Sequence, residues 1–113
     1  MSNKVKGKLG EKLAKDFLLS KGFEILETNF HYSRYSEVDI IAYKSGIIYF
    51  VEVKYRTTNF FGMPFEAITK SKLEKIKACA QYYLSITNKK FKSYKISAIS
   101  ILNSKIDFIE SVY

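Results

Sequence analysis

Three charged side chains stand inside two runs otherwise built for burial: Asp39 in Glu37-Val38-Asp39-Ile40-Ile41-Ala42, and Glu52 with Lys54 in Ile47-Ile48-Tyr49-Phe50-Val51-Glu52-Val53-Lys54. Burying an unpaired carboxylate is costly, so an acid kept in such a run has a partner or a task. Two carboxylates are hard oxygen ligands for Mg²⁺ or Mn²⁺, and a fixed ammonium beside them completes what phosphodiester hydrolysis requires. Carboxylates held close together repel and resist full ionisation until a cation joins them. Mg²⁺ relieves that repulsion and lowers the pKa of a bound water, while Lys54 orients the water or offsets charge growing on the phosphoryl oxygens. The competing reading makes Glu52 and Lys54 a solvated cross-strand pair on an exposed face.

For these groups to meet, the two runs must pair. Glu37 to Tyr43 and Ile47 to Tyr55 read as strands joined by Lys44-Ser45-Gly46, a short hairpin turn containing glycine. Such a turn brings Asp39 near Val51 and Glu52. Side chains alternate along a strand, so Glu52 and Lys54 project together with Ile48 and Phe50, while Val51, Val53 and Tyr55 face a core on the other side. On the preceding strand, Glu37, Asp39, Ile41 and Tyr43 share a face, which makes Glu37 an accessory carboxylate.

Helical spacing of Leu9, Leu13, Ala14, Phe17 and Leu18 predicts a helix from about Val5 to Lys21, stopped by Gly22. Gly7 and Gly10 each cost a helix about 1 kcal/mol relative to alanine. They make sense where a phosphate or the sheet edge approaches the backbone, and Glu11 beside them is a candidate further metal ligand. Phe23 to Leu26 reads as a short strand, and Asn29 to Ser36, with the lone His31, as a loop. After the aromatic loop Phe60-Phe61-Gly62-Met63-Pro64-Phe65-Glu66, a second helix starts at Phe65 or Thr69 and ends at Ile86, and a hairpin of Tyr94–Leu102 and Lys105–Ile109 closes the chain. The fold class is α/β, a central mixed sheet flanked by two helices in the order α-β-β-β-α-β-β.

The bulk numbers set the remaining bounds. A chain of 113 residues with 47% hydrophobic and 16% aromatic content is expected to form one domain over 1–113 with a real core. No apolar run reaches membrane-span length and no signal-peptide pattern occurs, so a cytoplasmic protein without membrane partners is expected. The single cysteine, Cys79, reads as a small core residue and excludes a Cys-based zinc site. The net charge of +8 is uneven: eight lysines against Glu74 lie between Thr69 and Lys95, and five against Glu11 lie in residues 1–15. Two basic blocks around an acidic centre suit a polyanion gripped at its edges and a cation held in the middle. Arg34, Arg56, Lys70, Lys72 and Lys75 are the candidate nucleic-acid contacts, because charge-assisted donors beside a cleft hold phosphates. The plainer reading of these lysines is that they solubilise helix faces.

Gly7-x-x-Gly10-Glu11, Asn29-Phe30, Glu37-Val38-Asp39-Ile40-Ile41, Val51-Glu52-Val53-Lys54-x-Arg56 and Phe61-Gly62-x-Pro64-x-Glu66-Ala67 occur in that order. Together they resemble the YraN-like family of small bacterial proteins, which is similar to the Holliday-junction resolvase branch of the PD-(D/E)XK nuclease superfamily. The resemblance spans nearly the whole chain and implies a restriction-endonuclease-like core. It also implies Asp39 and Glu52 as metal ligands, the Val53 carbonyl as a third, Lys54 as the catalytic lysine and Glu11 as an accessory carboxylate. Glu66 joins Glu37 as an accessory acid. Ser36 and Ser97 depart from the family pattern, at positions where glycine and aspartate are usual. Resolvases of this fold resemble symmetric dimers, because two strands must be cut, so a homodimer is among the expectations.

The function expected from the sequence is a Mg²⁺-dependent (or Mn²⁺-dependent) endonuclease acting on DNA, including branched or structured DNA. The alternatives are a non-catalytic nucleic-acid-binding protein on a nuclease fold and a protein-interaction module using the aromatic loop.

Overall fold

The apolar edge of the first helix and the alternation of the strands find their partners in a computed structural model that describes residues 3–56 and 68–112, with side chains placed for 7–55 and 68–112. The elements run α1 (Asn3–Ser20), β1 (Glu24–Ser33), β2 (Ser36–Lys44), β3 (Ile47–Arg56), α2 (Lys70–Ile86), β4 (Ser93–Leu102) and β5 (Lys105–Ile109). One five-stranded sheet is laid out in chain order, β1-β2-β3-β4-β5. β3 and β4 are parallel, and α2 lies between them in sequence as the crossover; the other neighbours are antiparallel. This is the expected order and layout.

Local chemistry sets the boundaries. α1 ends in a Schellman turn: Gly22 has φ +88°, its N–H bonds the Leu19 carbonyl at 3.1 Å, and the Phe23 N–H bonds the Leu18 carbonyl at 3.0 Å. Thr69 caps α2, its hydroxyl accepting the Lys72 N–H at 3.0 Å, which places the start of that helix at Lys70. Phe65, the other expected start, lies outside the described residues. Ser45 and Gly46 (φ 51° and 83°) and Asn103 and Ser104 (φ 47° and 75°) supply the paired positive φ values that two-residue hairpin turns require.

One expectation is corrected. The stretch from Asn29 to Ser36 is not a loop: β1 continues to Ser33, with His31 opposite Glu37 and Phe30 opposite Val38, and only Arg34 and Tyr35 turn. Alternation failed to reveal it because the strand is irregular. Its pairing shifts between Ile25 and Glu27 and again between His31 and Ser33, and Asn29 takes a left-handed φ of 51°.

The sheet buries a core on each face. Toward α1 pack Ala14, Leu18, Phe23, Ile40, Ala42, Tyr49, Val51, Ile99 and Ile101, with Val53 and Tyr55 partly buried against them. Toward α2 pack Val38, Ile41, Ile48, Phe50, Ile76, Cys79, Ala80, Tyr83 and Ile96. Cys79 is fully buried, as the sequence led us to expect. Among the described residues, no helix is long and apolar enough to cross a membrane.

At Gly10 α1 lies close against β3: a β-carbon there would stand 2.7 Å from the Tyr55 Cβ, whereas one at Gly7 would meet nothing within 4 Å. The sheet therefore accounts for Gly10. Gly10→Ala is expected to destabilise by roughly 1–2 kcal/mol, overpacking outweighing the helix-propensity gain. Gly7→Ala should stabilise by about 0.5–1 kcal/mol. Urea unfolding of the two variants checks this; shifts of the same sign would refute the close approach.

Candidate metal centre

The site begins where two paired strands part. The β2–β3 ladder runs from Lys44 opposite Ile47 to Ile40 opposite Val51, in the register that carries Asp39 toward Glu52. Beyond Ile40 a side chain takes over from the backbone: the Asp39 Oδ2 accepts the Val53 N–H at 2.8 Å. Alternation also breaks here, since Val38 packs in the α2 core and Ile40 in the α1 core. Across β2, the left-handed Asn29 lies between the pairs Thr28–Ile40 and Phe30–Val38, so the neighbouring strand bends at the same level. Counted from Ile41, which packs in the α2 core, Asp39 faces the side that carries Glu52, and Val38 is the residue out of step.

Glu52 is 4% exposed and lies on the α2 side of β3 with Ile48 and Phe50, as expected. Its Oε1 stands 3.0 Å from the Lys72 Nζ and 3.8 Å from the Lys54 Nζ. Burial pushes the Asp39 carboxyl up from the ordinary aspartate value to about 7; the Glu52 charge and, less strongly, Glu37 add to the rise, while the Val53 N–H and Lys72 oppose it. Burial would by itself lower the Lys72 pKa. The charge and hydrogen bond of Glu52, with help from Asp39 and Glu37, outweigh that and hold the ammonium above the usual lysine value.

These carboxyls form an electrostatic unit. Asp39 resists ionisation because it is buried and because Glu52 is beside it, while Lys72 and Lys54 set two positive charges against Glu52. A hard divalent cation suits such a pair, since two protein carboxylates suffice for an ion that retains several waters. The backbone of Val53 fits as well: a strand residue sends its N–H and C=O to the same side, so its carbonyl leaves β3 on the side from which Asp39 approaches. Among the described residues, no group of three or more His, Cys, Asp or Glu side chains is gathered for a metal. Asp39, Glu52 and the Val53 carbonyl are the groups that could hold such an ion between them.

The other candidates separate. Glu11, on α1, accepts a hydrogen bond from the Asn29 Nδ2 at 3.0 Å, and is not gathered with Asp39 and Glu52. Glu37 lies near enough to raise the Asp39 pKa, but its Oε2 meets the His31 Nε2 at 3.1 Å. Arg34, Lys70 and Lys75 are exposed. Arg34, Tyr35, Glu37, Lys72, Lys75 and Ile76 line a pocket of about 250 Å³ that shares Glu37 and Lys72 with the carboxylate centre. Glu66 and the side chain of Arg56 lie outside the described residues, as does the aromatic loop at 57–67. Ser36 opens β2 and is buried, and the Ser97 hydroxyl bonds the Glu110 carbonyl at 2.5 Å.

The lysine count overstates the free basic surface. Of the eight lysines in the second basic block, Lys72, Lys77, Lys89 and Lys95 are ion-paired, with Glu52, Glu74, Glu24 and Glu110. Lys72 is the residue whose part the sequence reading missed: expected to touch DNA, it is bound to Glu52. A signal was available. Lys72 falls on the buried stripe of α2 defined by Ile76, Cys79 and Tyr83, and a lysine on such a stripe implies an acid facing it.

Residues 10–110 match the model of the uncharacterised protein family UPF0102. The UPF0102 protein of Dictyoglomus thermophilum is 45% identical over 105 residues, covering 93% of this chain and 88% of the relative. That of Thermodesulfovibrio yellowstonii is 41% identical over 107 residues, covering 95% and 94%. The Clostridium novyi protein is 41% identical over 118 residues, covering 98% and 97%.

Proposed function

This chain belongs to the uncharacterised protein family UPF0102, and we propose that it is a Mg²⁺-dependent endonuclease that hydrolyses DNA phosphodiesters, branched or structured DNA included. The observation that supports this reading is the Asp39–Glu52 pair. Two carboxyls are drawn together at the end of a ladder, one of them pushed up toward neutrality by burial and by the other. A purely structural site would gain more from apolar residues there.

Asp39, Glu52 and the Val53 carbonyl would hold the cation. Once bound, it supplies Lewis-acid polarisation of a phosphoryl oxygen and a water of lowered pKa. The Val53 N–H fixes the Asp39 carboxylate in place, so one oxygen stays committed to the backbone and the other is left for a ligand. Lys54, on the same face of β3 as Glu52, offsets negative charge on the phosphoryl group or orients the attacking water. Arg34, Lys70 and Lys75 hold the flanking backbone by charge, without reading bases. Such a DNA substrate would place the protein in the cytoplasm, and cutting both strands of a junction would call for two copies.

Lys72 bound to Glu52 favours a second reading, DNA binding without catalysis, because an internal cation already satisfies the acid. The deciding experiment offers duplex, flap and four-way-junction DNA to folded protein with Mg²⁺ or Mn²⁺. Metal-dependent nicking abolished by EDTA is expected. No cleavage by protein shown to bind the same DNA would overturn the catalytic reading. Binding itself should weaken steeply with salt. Replacing Lys70 and Lys75 with Ala should lower affinity for all sequences alike and reduce the slope of log affinity against log salt by roughly 2. An unchanged titration would mean that this face only solubilises the helix.

A further inference from the structure

We infer that Lys72 is a resident counter-ion that occupies the place of the metal's charge on Glu52, and that a divalent cation displaces it into the adjacent pocket lined by Arg34 and Lys75. The inference rests on the metal-binding reading of Asp39 and Glu52. It goes beyond that reading in assigning a competing occupant and an exchange between two positions.

Three observations carry it. First, Glu52 is 4% exposed, and its Oε1 already receives the Lys72 ammonium at 3.0 Å, closer than Lys54 at 3.8 Å. A buried carboxylate without a cation is strongly unfavourable, so something positive must sit there in the metal-free protein, and the lysine does. Second, a divalent ion on the same carboxylate would place two further positive charges beside that ammonium, at a site screened poorly by solvent. The two cations cannot share it comfortably. Third, Lys72 has somewhere to go. It lies at the entry of α2, its side chain is partly exposed, and it already forms part of the wall of the pocket of about 250 Å³ containing Arg34, Tyr35, Glu37 and Lys75. A flexible four-carbon stem can swing its charge from Glu52 into that pocket without moving the helix. There it would face Glu37 beside Arg34 and Lys75, and an anion such as a phosphate would hold it more firmly still. Lys72 is thus a positioning residue: it holds Glu52 when no metal is bound and is released when a divalent cation takes its place.

The test measures Mn²⁺ affinity without DNA, by calorimetric titration at about 0.15 M salt, where long-range charge effects are screened within roughly 8 Å. Lys72→Met keeps the apolar stem and removes the competing charge. It is expected to bind Mn²⁺ at least about tenfold more tightly than wild type. Lys75→Met removes the same charge from the same helix and pocket, away from Glu52, and should change affinity by less than about twofold. Equal shifts in the two variants, or weaker binding by Lys72→Met, would overturn the proposal in favour of a structural clamp. Metal-free thermal unfolding shows whether each variant folds, and Lys72→Gln replaces the Met variant if it does not. A wild-type crystal grown with Mn²⁺ needs no substitution: the Lys72 Nζ should have left Glu52 for the pocket, and a retained Lys72–Glu52 bond beside a bound ion would refute the exchange. Failure of the underlying reading looks different. Wild type and all variants, folded, would then bind no Mn²⁺, whereas wild-type binding lost in Glu52→Gln but unimproved in Lys72→Met would reject only the role of Lys72.

Discussion

Glu52→Gln is expected to abolish metal-dependent DNA cleavage, by roughly 10²–10³-fold or more, while DNA affinity is unchanged or higher. Gln keeps the size of the side chain and one carbonyl oxygen that can still accept from Lys72, so the fold should survive. What it loses is the charge that holds a cation at a site 4% exposed. The phosphate backbone then meets one negative group fewer, and Lys72, no longer tied by an ion pair of 3.0 Å, is available to it. Lys54→Ala should also stop cleavage but leave Mn²⁺ affinity intact, because an ammonium is not a ligand. Cleavage on a four-way junction, fluorescence anisotropy on the same DNA and Mn²⁺ titration separate the three effects. Wild-type cleavage rates in Glu52→Gln would remove Glu52 from the proposed metal centre, and lost DNA binding would mean that its role is structural.

Asp39→Asn should raise the stability of the metal-free protein at pH 8 and flatten its pH dependence. The sign follows from the direction of the shift. Burial, with Glu52 adding, raises the folded-state pKa of Asp39 from 3.8 to about 7, so between those values the native state holds a proton that the unfolded state does not. The stabilisation is complete below about pH 4 and is lost as pH rises through about 7. Wild type at pH 8 therefore carries an unfavourable buried charge worth up to about 4 kcal/mol. Asn retains an oxygen for the Val53 N–H, now held at 2.8 Å by the Asp39 Oδ2, and brings no charge. Its melting temperature should exceed that of wild type by roughly 5–10 °C at pH 8, and the gap should narrow steadily as pH falls and close near pH 4. Mg²⁺ should raise the wild-type midpoint at pH 8 and leave Asp39→Asn unmoved. Parallel curves for the two proteins from pH 5 to 8 would show that Asp39 is an ordinary solvated aspartate.

The sequence by itself determined the order of elements, the β2–β3 hairpin and the faces of β3. These rest on local chemistry: Gly22 stops α1, Ser45-Gly46 accept positive φ, and strict alternation from Ile47 to Tyr55 decides which side chains share a face. The same hairpin spacing carried Asp39 to the end of the ladder near Glu52, because register propagates from the turn by counting. Three matters were left to the tertiary structure. β1 extends to Ser33 because β2 pairs with it through two register shifts and a left-handed Asn29, irregularities that erase the period a strand shows in sequence. Glu11 bonds Asn29 and Gly10 meets Tyr55 because of the way α1 lies across the sheet, a distance that no spacing along the chain encodes. Lys72 reaches Glu52 across 20 positions because α2 packs its buried stripe on the face carrying Phe50 and Glu52. Charge counting sees that lysine only as one of eight. Burial decides otherwise: a buried carboxylate needs a partner within reach, and the packing of α2 determines which lysine supplies it.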